Sequence, residues 1–158
     1  MEYKKATDKN INSIYEVVQK TIRTIYPKYY PGEVVDFFCE LHSRENIVRD
    51  IESGNVGILV VQDQIVGTGS RDKNHITRVY VLPEFQGKGY GSFIMQCLEN
   101  EIASEYHTVL LDASLPAAHL YEQRGYCTVK HEKWNVKNGV VLVYEVMEKR
   151  LPEHQISS

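Results

Sequence analysis

Residues His75 to Ser92 read His-Ile-Thr-Arg-Val-Tyr-Val-Leu-Pro-Glu-Phe-Gln-Gly-Lys-Gly-Tyr-Gly-Ser, and the rest of the chain is interpreted outward from them. The first half alternates β-branched and polar residues, the period of a strand. Pro83 stops that pattern, glycines follow at Gly87, Gly89 and Gly91, and a helical pattern begins at once. A strand, a tight loop and a helix in this order leave several backbone N–H groups unpaired at the helix start. The helix macrodipole also favours negative charge there, so the unit suits a phosphate or pyrophosphate.

On the N-terminal side, Tyr3 to Ala6 reads as a short strand and Thr7 as the N-cap of a helix whose apolar face is Ile11, Ile14, Tyr15, Val18, Ile22 and Ile25. Pro27 ends that helix in a tyrosine-rich turn, Tyr26 to Gly32. Val34, Val35, Phe37, Phe38 and Leu41 then repeat with helical spacing. Ser43 caps a further amphipathic helix carrying Ile47, Val48 and Ile51. From Val56 the period changes to that of strands. Val56 to Gln62 and Ile65 to Ser70 are joined by a tight turn at Asp63-Gln64, and Asp72-Lys73-Asn74 leads into the strand at His75.

Beyond the glycines, Phe93, Ile94, Cys97, Leu98 and Ile102 mark a helix, with Cys97 expected to face the core. Thr108 to Asp112 reads as a strand and Pro116 to Arg124 as a short helix stopped by Gly125. Cys127 to Val136 and Val140 to Met147 read as a closing hairpin across Lys137-Asn138-Gly139. The expected fold is α+β: a mixed, mostly antiparallel sheet of six to seven strands, helices on both faces, and one βαβ crossover containing the glycine loop.

The chain has 158 residues, 42% hydrophobic and 25% charged, which fits one compact domain with a real core. A net charge of −3 with scattered Lys and Arg gives no basic patch for nucleic acid. No apolar run is long enough to span a bilayer. Three well-separated cysteines, Cys39, Cys97 and Cys127, read as buried thiols of a cytoplasmic protein. Six histidines without metal-ligand spacing suggest no metal.

Four readings of the glycine loop compete. A ligand-free turn before a helix needs fewer glycines. A nucleoside-triphosphate loop fails because Lys88 precedes Gly89. A dinucleotide loop has two of its glycines in Gly87 and Gly89, and Asp112 as a ribose-binding acid, but Ser92 stands where the third glycine belongs and three strands precede the loop.

The fourth reading is a resemblance. Gln86-Gly87-Lys88-Gly89-Tyr90-Gly91 resembles the Gln/Arg-x-x-Gly-x-Gly/Ala signature of the GCN5-related N-acetyltransferase (GNAT) superfamily, directly after a strand running into Val-Leu-Pro-Glu-Phe. Ala117 to Tyr126, Ala-Ala-His-Leu-Tyr-Glu-Gln-Arg-Gly-Tyr, is similar to the helix that follows the fifth strand in the same family. The resemblance covers residues 1–151 as a single domain, leaving 152–158 as an expected frayed tail.

It implies an acetyltransferase that moves the acetyl group of acetyl-coenzyme A to a primary amine of a small molecule, peptide or protein, by direct attack in a ternary complex. The implied cofactor residues are Gln86, Gly87, Lys88, Gly89, Tyr90, Gly91 and Ser92 around the pyrophosphate, with clearance for it at Gly89 and Gly91. Backbone groups of Val79, Tyr80 and Val81 line the pantetheine arm, joined by Ser114, which stands where the family often has Asn, and by Tyr121.

The N–H of Val81 is the implied oxyanion donor and Tyr121 the general acid for the thiolate. Without the motif, Tyr121 reads as an aromatic on a buried helix face. Glu84, His75 and water all remain open as the base. Tyr29, Tyr30, Phe38 and Arg78 are candidate acceptor residues, and Glu33, Asp36 and Glu40 place negative charge nearby. A monomer or homodimer is expected. A catalytically silent acyl-coenzyme A-binding or sensing domain is the alternative, and a dinucleotide oxidoreductase a weaker one.

Overall fold

The computed structural model describes residues 1–152, so the expected tail falls outside the described residues apart from Pro152. In chain order the elements are β1 (Glu2–Lys5), α1 (Ile11–Ile25), α2 (Gly32–Leu41), α3 (Arg44–Glu52), β2 (Val56–Val61), β3 (Gln64–Asp72), β4 (His75–Val81), α4 (Tyr90–Ala103), β5 (Thr108–Ala113), α5 (Ala118–Gln123), β6 (Cys127–Asn135) and β7 (Val141–Arg150). The strands form one seven-stranded sheet in the order β1-β2-β3-β4-β5-β7-β6. Only the β4–β5 pair is parallel. The fold is therefore the α+β arrangement expected, with the one crossover through α4.

Local chemistry explains the element boundaries. The Ser43 hydroxyl accepts the Asn46 N–H at 3.2 Å and starts α3, as its N-cap position requires. The turn between β2 and β3 is Gln62-Asp63, one residue earlier than the sequence pattern suggested. Both residues have positive φ, 50° and 61°, the twist a two-residue hairpin needs. At Gly57 a Cβ would lie 2.2 Å from the Tyr3 ring, so this glycine lets β1 pack its only partly buried side chain onto β2.

Two apolar clusters, one on each face of the sheet, supply the hydrophobic driving force. One packs α4 and α5 against β4, β5 and β7 through residues such as Ile94, Leu98, Leu111 and Met147. The other packs α1, α2 and α3 against β2 and β4 through Ile14, Ile22, Ile47 and Ile58. A buried carboxylate ties the closing hairpin to α4: Glu99 accepts from Arg124, from the Tyr126 hydroxyl at 2.7 Å and from Lys149 at 3.4 Å. The cysteines differ from expectation. Cys39 is buried, Cys97 is only partly so, and Cys127 is exposed because it begins β6, the edge strand.

Candidate functional site

The parallel strands β4 and β5 pair only at His75↔Leu110 and Ile76↔Leu111. Beyond that point β5 follows β7 up to Ala113 while β4 stays with β3 up to Val81, so the two strands splay apart. The stretch from Thr77 to Val81 therefore has an open backbone edge in the middle of the sheet. Leu82 donates its N–H to the Val66 carbonyl at 2.8 Å on the β3 side. Successive residues of a strand aim their amides in opposite directions, so the N–H groups of Val81 and Val79 face the opening. The Val81 carbonyl is already used, accepting from the Thr21 hydroxyl at 3.2 Å and the Gln86 side-chain amide at 2.9 Å.

A cavity of about 430 Å³ lies on the glycine-loop side of this opening. Gly87 and Gly89 have φ of +79° and +84°, the left-handed region that other residues enter at a cost, and a Cβ on either would meet nothing within 4 Å. The space in front of them is free for a ligand. The helix begins at Tyr90, so the first-turn N–H groups from Tyr90 to Ser92 have no intrahelical acceptor and point into that space. Gly91 also borders α5, where a Cβ would touch Leu120 at 3.4 Å, so it serves helix packing as well as clearance. The Lys88 ammonium lies over the Phe85 ring at 5.6 Å, and Lys88 is not among the lining residues. Tyr29 lines this cavity, not the one on the other side.

A second cavity of about 350 Å³ lies on the opposite side, between α2 and α3, the strands β4 and β5, and the closing hairpin. Phe38 lines it, together with Trp134 and Tyr144, which come from the last two strands. Arg78 lines it too, with its side chain only 3% exposed. Its guanidinium is spent on three protein partners: Nε donates to His42 Nδ1, Nη1 to the Ser70 hydroxyl and Nη2 to Asp50 at 2.9 Å. Burial, with the guanidinium alongside, pushes the His42 imidazole down to about 3, so it is neutral and accepts from Arg78.

Tyr30 borders neither cavity. Its hydroxyl accepts the Leu115 N–H at 2.7 Å and pins the loop carrying Ser114 to the α1–α2 turn. None of Glu33, Asp36 and Glu40 lines the second cavity; its carboxylates are Asp50 and Asp112.

The two cavities share Tyr26, Val79, Tyr80 and Ala117 as a common wall. At this junction the Tyr26 hydroxyl lies within 3.3 Å of both the Tyr80 and the Ser114 hydroxyls, donating to one and able to accept from the other. Burial raises the Tyr26 phenol's pKa, against the pull of those two bonds. Tyr121, expected to touch the cofactor, is buried and lines the second cavity but not the glycine-loop one. Burial, followed by the neighbouring Tyr26, holds its phenol well above the ordinary value, so it carries its proton at neutral pH. Glu84 lines neither cavity. Its carboxylate pairs with Lys20 at 2.9 Å, and that hydrogen bond lowers its pKa. His75 does line the second cavity, with Asp112 at 3.6 Å.

Sequence reasoning missed Asp50, Trp134 and Tyr144 as site residues. Trp134 is the only tryptophan in the chain, and an aromatic in a polar hairpin was the one available signal.

Among the described residues no helix is long and apolar enough to cross a membrane, and no three or more His, Cys, Asp or Glu side chains converge as a metal site.

A family model described as an acetyltransferase (GNAT) domain matches residues 25–151. Comparison with curated proteins gives no match. Among solved structures, the chain is similar to a GCN5-related N-acetyltransferase from Rhodopseudomonas palustris, at 21% identity over 95% of each chain with a TM-score of 0.86. It is also similar to the PaiA N-acetyltransferase of Thermoplasma acidophilum in complex with coenzyme A, at 17% identity over 94% of this chain and 98% of that one, TM-score 0.71. A third likeness is to YncA of Salmonella typhimurium with its cofactor acetyl-CoA, at 18% identity over 100% of this chain and 98% of that one, TM-score 0.74.

Proposed function

The chain belongs to the GNAT acetyltransferase family, and on that premise we propose that it is an acetyl-coenzyme A-dependent N-acetyltransferase acting on a primary amine. The observation that carries this reading is the open edge of β4, flanked by two cavities that meet at Tyr26, Val79, Tyr80 and Ala117. One cavity has the backbone chemistry of an anion site. The other is walled by side chains, as a small-molecule site is.

The glycine loop fits a pyrophosphate, because two left-handed glycines without neighbours face unpaired helix amides. Gln86 fixes the loop to β4 through the Val81 carbonyl. Val79 and Val81 offer N–H groups along the open edge for an extended pantetheine arm. When bound, acetyl-coenzyme A supplies a thioester carbonyl open to attack and a thiolate leaving group. Val81 N–H then stabilises the charge that develops on the carbonyl oxygen. Tyr121, protonated and lining the second cavity, donates to the departing sulfur. Ser114 and Tyr26 hold a polar surface for the incoming nitrogen.

None of the three cysteines lines either cavity, which supports direct attack by the amine over an acetylated enzyme. We read the protein as a single unit over residues 1–151, cytoplasmic, and monomeric or homodimeric.

The test is a screen of amines for release of free coenzyme A, run beside thermal melts. Acetyl-coenzyme A is expected to raise the melting temperature and NAD to leave it unchanged, with at least one amine giving acetyl-dependent release. Binding without release from any amine would favour the acyl-coenzyme A-sensing alternative. Stabilisation by NAD alone would overturn the proposal.

A further inference from the structure

The second cavity is bridged on one side. Phe37 of α2 meets Trp134 of β6 edge to face, with ring centroids 5.0 Å apart, and both rings line the cavity. Next to them Asp36 pairs with Lys137 of the hairpin turn at 2.8 Å. These contacts close the gap between α2 and the hairpin on that side of the cavity. At about 350 Å³ the space is at the small end of ligand sites, and it suits a slim molecule.

The charges inside it are unevenly satisfied. Asp50 is paired with Arg78 at 2.9 Å. Asp112 has only His75, at 3.6 Å, longer than a hydrogen bond, and 46% of its side chain is exposed. It shares its corner with Tyr144, whose phenol is held up first by burial and then by this carboxylate. Tyr144 in turn stands 6.1 Å from Trp134. The cations facing this region are His75, Lys130, which is committed to Glu132, and Arg49 on the α3 wall. Asp112, Trp134 and Tyr144 line the same cavity, and a carboxylate that shares a cavity with two aromatic rings is an environment that holds an ammonium group. Asp112 lies near the end of β5 and Ser114 just beyond it, two residues on, so their Cα atoms are at most about 7 Å apart. That separation is the reach of a short alkyl chain between two nitrogens.

We propose that the acceptor is a small alkyl diamine. Its reacting nitrogen lies at the Tyr26–Ser114 junction, and its second nitrogen, as an ammonium, lies between Asp112, Trp134 and Tyr144. This rests on the reading that an amine enters through this cavity. In the transfer the N–C bond forms as the C–S bond breaks. The amine proton leaves to water, the thiolate takes a proton from Tyr121, and solvent restores the phenol.

Trp134 makes the inference testable without turnover, because its emission is the only tryptophan signal in the chain. Titration with diaminobutane in the absence of acetyl-coenzyme A is expected to give a saturable change, with binding about tenfold tighter than for butylamine. Asp112→Asn, isosteric at a half-exposed position, should bring the two amines to equal affinity at an unchanged melting temperature. Tyr144→Leu should weaken the diamine selectively by the same readout, and serves if the first variant is unstable. Equal binding of the two amines by the unmodified protein, tighter binding of a tripeptide with a free N-terminus, or no saturable change would each overturn the inference. Diamine binding with no coenzyme A release from any amine would support this site while sinking the acetyl-transfer reading.

Discussion

The two cavities on either side of β4 are built in opposite ways. The anion-binding part of the cofactor-side cavity is one contiguous stretch, Gln86 to Ser92, and its chemistry is that of backbone amides freed by two left-handed glycines and a helix start. The acceptor-side cavity is made of side chains from α2, α3, β4, β5 and the closing hairpin, brought together only by the complete sheet. A backbone-built site tolerates change at most side chains and fails where the backbone conformation fails. A side-chain-built site behaves in reverse.

That contrast gives its sharpest test at Gly89. Gly89→Glu forces a side chain into φ of +84° and puts a carboxylate where an anion binds, so acetyl-coenzyme A affinity is expected to fall by more than about a hundredfold in calorimetry. Trp134→Leu should leave the same affinity unchanged. Comparable losses from both variants would mean that the two sites are not separately built.

Tyr121→Phe comes next. The buried phenol keeps its proton, so the variant should lose about a hundredfold in kcat with the acetyl-coenzyme A dissociation constant unchanged. A variant with unaltered kcat across pH would remove Tyr121 as the acid.

His42 predicts a smaller effect on stability. Its folded pKa, about 3, lies below the unfolded value of roughly 6.5. The unfolded chain therefore binds the proton more readily. The contribution of His42 is complete above pH ~6.5 and is lost as pH falls toward the folded pKa. Urea midpoints of His42→Gln, whose carbonyl still accepts from Arg78, should fall less steeply between neutral pH and pH ~4.5 than those of the unmodified protein. Parallel slopes would mean that His42 is solvated in the folded state.

The smallest effect is expected at the hairpin latch. Asp36→Asn removes an exposed ion pair and should leave the melting temperature within error, because such pairs contribute little. A large drop would show that the hairpin position depends on that pair.

The same contrast decides what the sequence could disclose. The glycine loop was legible because its motif is local, and the strand pattern placed β4 directly before it, but the parting of β4 from β5 after Ile76 was not in that pattern. Nor was the acceptor wall. Trp134 and Tyr144 reach the cavity only because β7 inserts between β5 and β6, a pairing across the whole sheet that no periodicity encodes. Arg78 looked available for an acceptor because a strand pattern cannot reveal that His42, Ser70 and Asp50 converge on its guanidinium. Tyr29 and Tyr30 are adjacent in sequence, yet one lines the cofactor-side cavity and the other anchors the loop of Ser114, because the turn sends neighbouring side chains in different directions. Cys127 reads with the other well-separated cysteines as a buried thiol, but it begins an edge strand and is exposed.

The most direct measurement is amide hydrogen exchange with and without acetyl-coenzyme A. Binding is expected to slow exchange at Val79 and Val81 on the open edge of β4 and at Gly87 to Ser92, while Trp134 to Tyr144 exchange as before. Protection confined to the acceptor-side residues, or absent from Val79 and Val81, would contradict a cofactor held by the splayed strand.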